Sequence, residues 1–92
     1  MKANCTYVSL QQGVLTEFSG EAIDKKLLKN NEEISDCENY CDYLDGCQSF
    51  NVLKKNEYQR LCYFRNKILN GKEPLMCWND MYTVYKKCDE GT

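Results

Sequence analysis

Seven cysteines are distributed along almost the whole chain, at positions 5, 37, 41, 47, 62, 77 and 88 of 92 residues. A chain of this length forms one domain with a modest core, so we expect covalent cross-links to supply part of its stability. In an oxidising compartment such a set of cysteines indicates disulfides, whereas in a cytosolic protein it more often binds metal. The spacing of the cysteines bears on this choice.

Zinc sites typically use C-x2-C spacings, usually together with histidine ligands. Here the close spacings are C-x3-C, from Cys37 to Cys41, and C-x5-C, from Cys41 to Cys47, and the chain has no histidine. We therefore predict disulfides, with no metal and no cofactor. A cysteine-only metal site remains the alternative.

The formal net charge of −2 gives no general electrostatic attraction to nucleic acid or to an anionic membrane surface. No stretch approaches the length of a transmembrane helix, so direct membrane insertion is not expected. We expect a secreted or cell-surface protein whose natural leader has been removed, since Met1 leads almost directly to Cys5. Asn4 begins the sequon Asn4-Cys5-Thr6 and is a candidate glycosylation site, although this pattern is common by chance.

Several short segments have the alternation and flanking turns that are typical of β-strands. Residues 6–10 and 14–18 predict a first pair of strands. Residues 47–53 and 58–64 flank a polar turn and predict a β-hairpin. Residues 22–31 mix lysines with leucines without a clean period, and they predict an irregular connection.

Alternation also divides the strand residues between two faces of the predicted sheet. It places Phe50 and Val52 on one face, and Ser49 and Asn51 on the other. Residues 81–85 alternate in the same way and predict a further strand.

The clearest helix signal begins at Ser35. The run Ser35-Asp36-Cys37-Glu38 matches a capping box, in which the serine oxygen accepts from a free amide while the glutamate reaches back. Gly46 suits the left-handed conformation that ends a helix.

Between these signals, four residues recur at helical spacing and form one stripe: Cys37, Tyr40, Cys41 and Leu44. Both cysteines are therefore predicted to face the same surface, the sheet. One helix packed on a small antiparallel sheet and stapled by disulfides makes the predicted fold class α+β.

The cysteine pattern resembles that of the PAN/apple domain over nearly the whole chain. That family has a terminal cysteine, a helix bearing C-x3-C, a third cysteine closely followed by Ser-Phe, and a cysteine on the partner strand, while apple domains add one at the C-terminus. The residues that carry the resemblance are Cys5, Cys37, Cys41, Cys47, Ser49-Phe50, Cys62 and Cys88.

This resemblance implies the disulfides Cys5–Cys88, Cys37–Cys62 and Cys41–Cys47. Six cysteines allow fifteen pairings, and the sequence alone does not choose among them. The resemblance also implies that residues 1–92 are a single PAN/apple-like recognition domain, excised from a larger secreted or surface protein. PAN and apple domains mediate contacts with proteins or with carbohydrates.

Cys77 departs from the six-cysteine pattern. An odd cysteine in a secreted protein indicates an intermolecular bridge or a free thiol. We favour a buried, inert thiol beside Trp78, because free cysteine is among the most buried residue types. The alternatives are a disulfide-linked dimer through Cys77, or a pairing in which Cys77 displaces one of the expected partners.

The absence of histidine excludes the usual Ser-His and Cys-His nucleophile arrangements, so we predict that the chain is not an enzyme and has no catalytic residues. The predicted helix and its end carry four acidic residues, Asp36, Glu38, Asp42 and Asp45. They could form a paired-carboxylate or calcium site, but the segment lacks the spacing of an EF-hand loop. An ordinary acidic helix surface is the favoured interpretation.

Five basic residues follow the predicted hairpin and its exit: Lys54, Lys55, Arg60, Arg65 and Lys67. If they converge on one face, they are candidates for binding an acidic glycan or an acidic protein patch. The favoured interpretation is a solvated hairpin edge that lysines protect from aggregation. Lys25, Lys26 and Lys29 would extend such a patch, but the sequence does not place them.

Trp78, Tyr82 and Tyr85 lie near Cys77 and offer a second candidate contact surface, because these aromatic residues anchor interfaces and stack on sugars. Tyr82 and Tyr85 fall on opposite faces of the predicted strand. At most one of them is therefore expected to share an exposed surface with Trp78. Core packing is the favoured role for these rings.

The first functional hypothesis is an extracellular module for protein–protein interaction or assembly. One alternative is a lectin-like, carbohydrate-binding module. Another is a secreted inhibitor that acts by occupying the surface of its partner. The expected partner is thus an extracellular protein or a glycan, and not a nucleic acid.

Overall fold

The computed structural model describes residues 4–10, 14–16, 22–77 and 80–89, which form one helix and seven strands. In chain order these are β1 (Asn4–Ser9), β2 (Val14–Thr16), β3 (Asp24–Leu28), α1 (Ile34–Tyr43), β4 (Ser49–Lys54), β5 (Arg60–Arg65), β6 (Leu75–Cys77) and β7 (Met81–Asp89). The predicted α+β class is confirmed for these ranges. Within them, no helix has the length and apolar character needed to cross a membrane.

Five strands form one antiparallel sheet in the order β1-β7-β4-β5-β3. The predicted hairpin is confirmed as β4 and β5, in which Asn51 lies opposite Tyr63. β2 and β6 form a separate antiparallel pair. α1 covers one face of the five-stranded sheet, which is called the helix face below, and contributes Cys37 and Cys41 to the core.

The predicted pairing of the two N-terminal strands with each other is wrong. β1 pairs with the last strand, β7, so that Cys5 lies opposite Cys88. β2 pairs with β6, where Leu15 lies opposite Met76. Alternation in a sequence identifies a strand but carries no information about its partner. Residues 17 and 18 of the predicted second strand and the side chain of Asn4, the candidate glycosylation site, lie outside the described part of the chain.

The predicted irregular connection over residues 22–31 contains an edge strand, β3, and the prediction is wrong there. β3 pairs with β5, and of its five residues only Leu28 is buried. The residues that share a face with Leu28 are polar, Asp24 and Lys26. A strand at the sheet edge with one buried side chain gives a weak alternation, which accounts for the missed element.

The helix begins earlier than the sequence predicts. Its N-cap is Glu33, not Ser35, and a capping box joins Glu33 to Asp36. The backbone N–H of Glu33 donates to Asp36 Oδ2 at 2.8 Å. Acidic side chains at the N-cap and N3 positions satisfy the free amides of those two positions, as the predicted box would have done two residues later. After the last helical turn, Gly46 has a positive φ of 83°, as predicted.

The two faces of the sheet bury different kinds of side chain. On the helix face, Phe50 and Phe64 are fully buried, with ring centroids 5.5 Å apart. On the opposite face, the buried Asn51 Nδ2 donates to Thr83 Oγ1 at 3.0 Å. Arg65 Nε donates to Asn51 Oδ1 at 2.9 Å, so the amide is satisfied on both sides.

Three disulfides cross-link the described residues. Cys37–Cys62 joins α1 to β5, Cys41–Cys47 joins α1 to the segment before β4, and Cys5–Cys88 joins β1 to β7. These are the pairs that the PAN/apple resemblance implies. Removing one disulfide from a domain of this size typically costs about 2–5 kcal/mol of stability, so the cross-links are a major stabilising term.

A contact between a phenol and a carboxylate ties α1 to β3. The Tyr40 hydroxyl donates to Asp24 Oδ2 at 2.6 Å, and the Lys25 backbone N–H donates to Asp24 Oδ1 at 2.8 Å. These two hydrogen bonds, of which that from Tyr40 has the larger effect, stabilise the ionised carboxylate and hold the pKa of Asp24 below its usual value. The same hydrogen bond raises the pKa of Tyr40, because the bond is lost when the phenol ionises.

We predict that Phe64→Ala lowers the free energy of unfolding by about 3–5 kcal/mol, because it leaves a cavity between Phe50 and Tyr40. The control is Ile68→Ala, at a side chain that is 74% exposed, with an expected change below about 0.5 kcal/mol. Urea unfolding of the oxidised protein measures both. Equal losses in the two variants would contradict the core position of Phe64.

We also predict that Tyr40→Phe destabilises the protein at neutral pH and much less in acid. The lowered pKa of Asp24 stabilises the fold above the usual aspartate pKa of about 3.9, and this stabilisation is lost as the pH falls through the folded pKa. The gap in melting temperature between wild type and Tyr40→Phe should therefore narrow between about pH 7 and about pH 2. Tyr43→Phe, at an exposed ring, is the control. A gap of constant size would show that the Tyr40–Asp24 bond does not shift the carboxyl pKa.

Candidate functional site

A cavity of about 310 Å³ lies at the turn end of the β4–β5 hairpin. Val52 and Tyr82, which are partners in the β4–β7 register, line its sheet side. Both belong to the helix face, since Val52 is a core residue and Tyr82 packs against that core. The volume is at the lower end of the range for ligand pockets, so the cavity suits one side chain or one sugar unit.

The hairpin turn that forms one wall of the cavity is held by its own hydrogen bonds. The backbone N–H groups of Lys55 and Asn56 donate to the Gln59 carbonyl oxygen, at 3.0 and 3.2 Å. Asn56 Oδ1 accepts from the Tyr58 backbone N–H at 2.8 Å, and Asn56 Nδ2 donates to Gln59 Oε1 at 3.2 Å. This turn fixes the backbone that carries the exposed Tyr58 ring beside the cavity.

Three basic side chains line the cavity: Lys29, Lys54 and Arg60. Lys54 and Arg60 are partners in the β4–β5 register, whereas Lys29 follows the end of β3. The Arg60 guanidinium donates to the Glu32 carbonyl oxygen at 2.9 Å, which orients it. A guanidinium has five N–H donors, so this bond leaves others for a ligand.

Two acidic residues, Glu57 and Asp80, complete the charged lining. Asp80 has a positive φ of 63°, a conformation that aspartate tolerates better than most residues. Its carbonyl oxygen accepts from the Lys54 backbone N–H at 2.7 Å, which fastens the turn before β7 to the end of β4. The cavity is thus built from three separate segments of the chain.

Burial and nearby charges both affect the pKa of Tyr82, which is half-buried at the cavity. Burial raises the pKa of Tyr82 above its usual value, the positive charge of Arg60 acts in the opposite direction, and Glu38 on α1 adds to the rise. At neutral pH the phenol is therefore protonated and able to donate a hydrogen bond.

The sequence-based candidates for ligand contact are the five basic residues, Trp78 and Tyr82, and the cavity brings together three of them, namely Lys54, Arg60 and Tyr82. Lys55 lies at the adjoining turn position and does not line the cavity. Trp78 lies outside the described residues.

Arg65 and Lys67 are at the other end of the hairpin, so the five basic residues do not converge. Arg65 lies five positions after Arg60 on β5 and therefore on the opposite face of the sheet. The Lys67 carbonyl oxygen accepts from Ser49 Oγ at 2.8 Å, near the start of β4. The interpretation of the hairpin as a protected sheet edge is also wrong, because β7 and β3 flank it on both sides.

Tyr82 and Tyr85 lie on opposite faces of β7, as predicted. Tyr85 is buried, and a Cβ atom at position 71 would lie 2.6 Å from its hydroxyl oxygen. Gly71 also has a positive φ of 86°, so both the backbone and the packing require glycine there. Tyr85 is a packing residue, whereas Tyr82 faces the cavity.

The favoured interpretation of Cys77 as a buried thiol is wrong, because its side chain is exposed. It ends the short strand β6, whose neighbours Leu75 and Met76 are exposed as well. β6 pairs only with β2 among the described residues and is not part of the five-stranded sheet that forms the core. The general tendency of free cysteine to be buried does not apply to this peripheral strand.

The acidic residues of α1 take part in structural contacts. Asp36 belongs to the capping box, and Asp42 accepts a hydrogen bond from Tyr7 and forms an ion pair with Lys86 at 3.3 Å. Burial and the nearby Asp42 charge raise the pKa of Glu38. In the described ranges, no group of three or more cysteine, aspartate and glutamate side chains is placed to hold a metal ion.

The predicted set of contact residues lacks Tyr58 and Asp80, which the structure adds. A signal for Tyr58 exists in the sequence, because Asn56 within a polar turn favours the Asx arrangement that presents the residue two positions later. No comparable signal exists for Asp80. Its left-handed backbone and its position beside Lys54 are consequences of how β7 returns to the sheet.

The described residues therefore form a small disulfide-rich α+β domain with a polar, tyrosine-flanked cavity at one end of its sheet. Comparison of the chain with known protein-family models, curated proteins and solved structures finds no match in any of the three. The features of the chain that bear on its function are the cavity, the exposed thiol and the cysteine pattern.

We predict that Cys77 in the monomer reacts fully with iodoacetamide under native conditions, without reductant, because it is exposed and the other six cysteines are bonded. Intact mass spectrometry should show one adduct per chain, and Cys77→Ser should show none. A disulfide-linked dimer through Cys77 would show no adduct and twice the mass. Labelling of the monomer only after denaturation would contradict the exposed position of the thiol.

Proposed function

We propose that this chain is an extracellular recognition module of the PAN/apple type, which binds a protein partner and catalyses no reaction. Three disulfides in one small domain favour an oxidising compartment. The agreement between these disulfides and the pairs that the family pattern implies supports the assignment to that family. The packing of α1 over the sheet through Cys37 and Cys62 also supports it.

The observation that carries the proposal is the cavity beside the hairpin turn. A binding hot spot combines a pocket with a rigid aromatic residue at its rim, and tyrosine and arginine are enriched among such residues. Tyr58 supplies the aromatic ring on a fixed turn, and Arg60 supplies an oriented guanidinium. The preorganised turn reduces the conformational entropy that is lost on binding.

A carbohydrate ligand is the second candidate, and the lining of the cavity favours it specifically. Tyr58 and Tyr82 offer rings on which a sugar face stacks, and the amides of Asn30, Asn56 and Gln59 surround them. Two of these amides are engaged with each other, however, since Asn56 donates to Gln59. That bond reduces the number of groups available to sugar hydroxyls, and this is why the protein partner is placed first.

Exposed Cys77 gives the same module a second means of interaction. A thiol at the end of a peripheral strand is accessible to a cysteine of another chain, so we include a disulfide-linked dimer among the proposed assemblies. Cys77 is not part of the cavity lining, so the two features are separate candidate sites of interaction.

We predict that oxidised protein, screened against arrayed extracellular domains and arrayed glycans, binds a protein and that Tyr58→Ala weakens this binding by about tenfold or more. The matched control is Tyr43→Ala, because the Tyr43 ring is 82% exposed on α1 and lies outside the cavity lining. Reduced and alkylated protein, which lacks the disulfides, is the control for binding that does not require the folded domain.

Loss of binding in Tyr43→Ala but not in Tyr58→Ala would place the site on the helix and would contradict the role of the cavity. Binding to one glycan class without any protein partner would replace the first proposal with the second.

A further inference from the structure

The three basic side chains of the cavity have no carboxylate partner within the described part of the chain. The ion pairs found there are Lys26–Glu32 and Lys86–Asp42, and neither includes a cavity residue. A basic group without a carboxylate partner there is available to an external carboxylate. The cavity gathers three such groups in one place on a chain whose net charge is negative.

Glu32 is not part of the cavity lining, and its carboxylate has partners of its own. Its Oε2 lies 3.5 Å from Lys26 Nζ, and its Oε1 accepts from the Lys29 backbone N–H at 3.1 Å. The Glu32 backbone N–H in turn donates to the Lys29 carbonyl oxygen at 3.0 Å, so the turn that presents Lys29 is fixed. The Glu32 carbonyl oxygen also holds the Arg60 guanidinium. The turn thus fixes the backbone of Lys29 and orients the guanidinium of Arg60, and its own carboxylate is satisfied by other groups.

The balance of charges in the lining limits the ligand to a low negative charge. Three basic side chains face two acidic ones, Glu57 and Asp80, which leaves one positive charge in excess. One carboxylate neutralises this excess. A polyanion would place additional negative charges near Glu57 and Asp80, where like-charge repulsion opposes binding.

The sheet side of the cavity suits a carbon stem behind that carboxylate. The half-buried ring of Tyr82 provides apolar surface, and the Tyr82 hydroxyl is protonated at neutral pH. Arg60 offers planar donors for a bidentate contact with a carboxylate, and Lys54 lies directly across the hairpin from it. The volume of about 310 Å³ accommodates one such side chain with its immediate neighbour.

We propose that the cavity binds a single aspartate or glutamate side chain of the partner protein, with its carboxylate between Arg60 and Lys54 and its stem against the ring of Tyr82. This proposal rests on the proposed function, which requires only that a protein binds at the cavity. It adds the chemical identity of the residue that the partner inserts.

The test begins with selection of peptides from a random phage-displayed library against the oxidised protein. Peptides that bind at the cavity should share one acidic position, and replacing it by the corresponding amide should weaken binding of the synthetic peptide by about tenfold. Lys54→Gln should cause a similar loss with the acidic peptide and almost none with the amide peptide, because the two changes remove the same contact. Lys87→Gln, an equal change of charge at an exposed position outside the cavity, is the control and should have little effect.

Three results would overturn the proposal. If peptides lose affinity in Tyr58→Ala but are insensitive to the exchange of acid for amide, a protein site exists at the cavity and the inserted residue is not acidic. If Lys54→Gln and Lys87→Gln weaken binding equally, the effect is one of overall charge. If no peptide is selected and a uronic-acid or sialic-acid glycan binds in a manner that depends on Lys54, the occupant is a carboxylated sugar and the protein-binding proposal fails with it.

Discussion

The disulfide between Cys37 and Cys62 joins the only helix of the described residues to the middle of β5, a strand that has neighbours on both sides. Because both sulfurs are completely buried, the cross-link also lies within the core, against Phe50 and Phe64. The position of α1 determines which face of the sheet is covered and which end of that face is left open. The candidate cavity occupies this open end, at the first residue of β5, Arg60. The candidate cavity thus depends on a covalent bond several residues away from it.

The sequence predicts those parts of the fold that depend on local patterns. The β4–β5 hairpin follows from alternation on either side of a polar turn, and the helix follows from the spacing of its two cysteines. Alternation could not identify the partner of β1, because pairing with β7 is decided by contacts across the whole chain; only the Cys5–Cys88 pair implied by the resemblance connects the two. β3 was missed for a related reason, since an edge strand with one buried residue, Leu28, need not alternate clearly. The helix start was displaced because glutamate and aspartate perform the capping that serine was expected to perform.

The residues of the candidate site likewise divide into those that local patterns predict and those that tertiary structure alone brings together. Lys54 and Arg60 could be predicted together because a hairpin places them opposite each other. Arg60 and Arg65 are five positions apart on one strand, and an odd separation places them on opposite faces. The sequence alone therefore indicates that the five basic residues do not all share one face. Lys29 and Asp80 could not be placed, because they reach the cavity from turns whose positions are set by β3 and β7. Sequence patterns therefore identify residues of a site within one supersecondary unit, and tertiary structure adds the rest.

The pairing of β1 with β7 brings the first and last described residues of the chain together. Asn4 and Asp89 are register partners, and the Cys5–Cys88 bridge lies beside them. β7 runs from the cavity at Tyr82 to this bridge over six residues, a distance of about 20 Å. Asn4 and Asp89 therefore lie side by side at the end of the sheet opposite the cavity. A force applied between these two residues would act on the Cys5–Cys88 bridge before it reached the strands around the cavity.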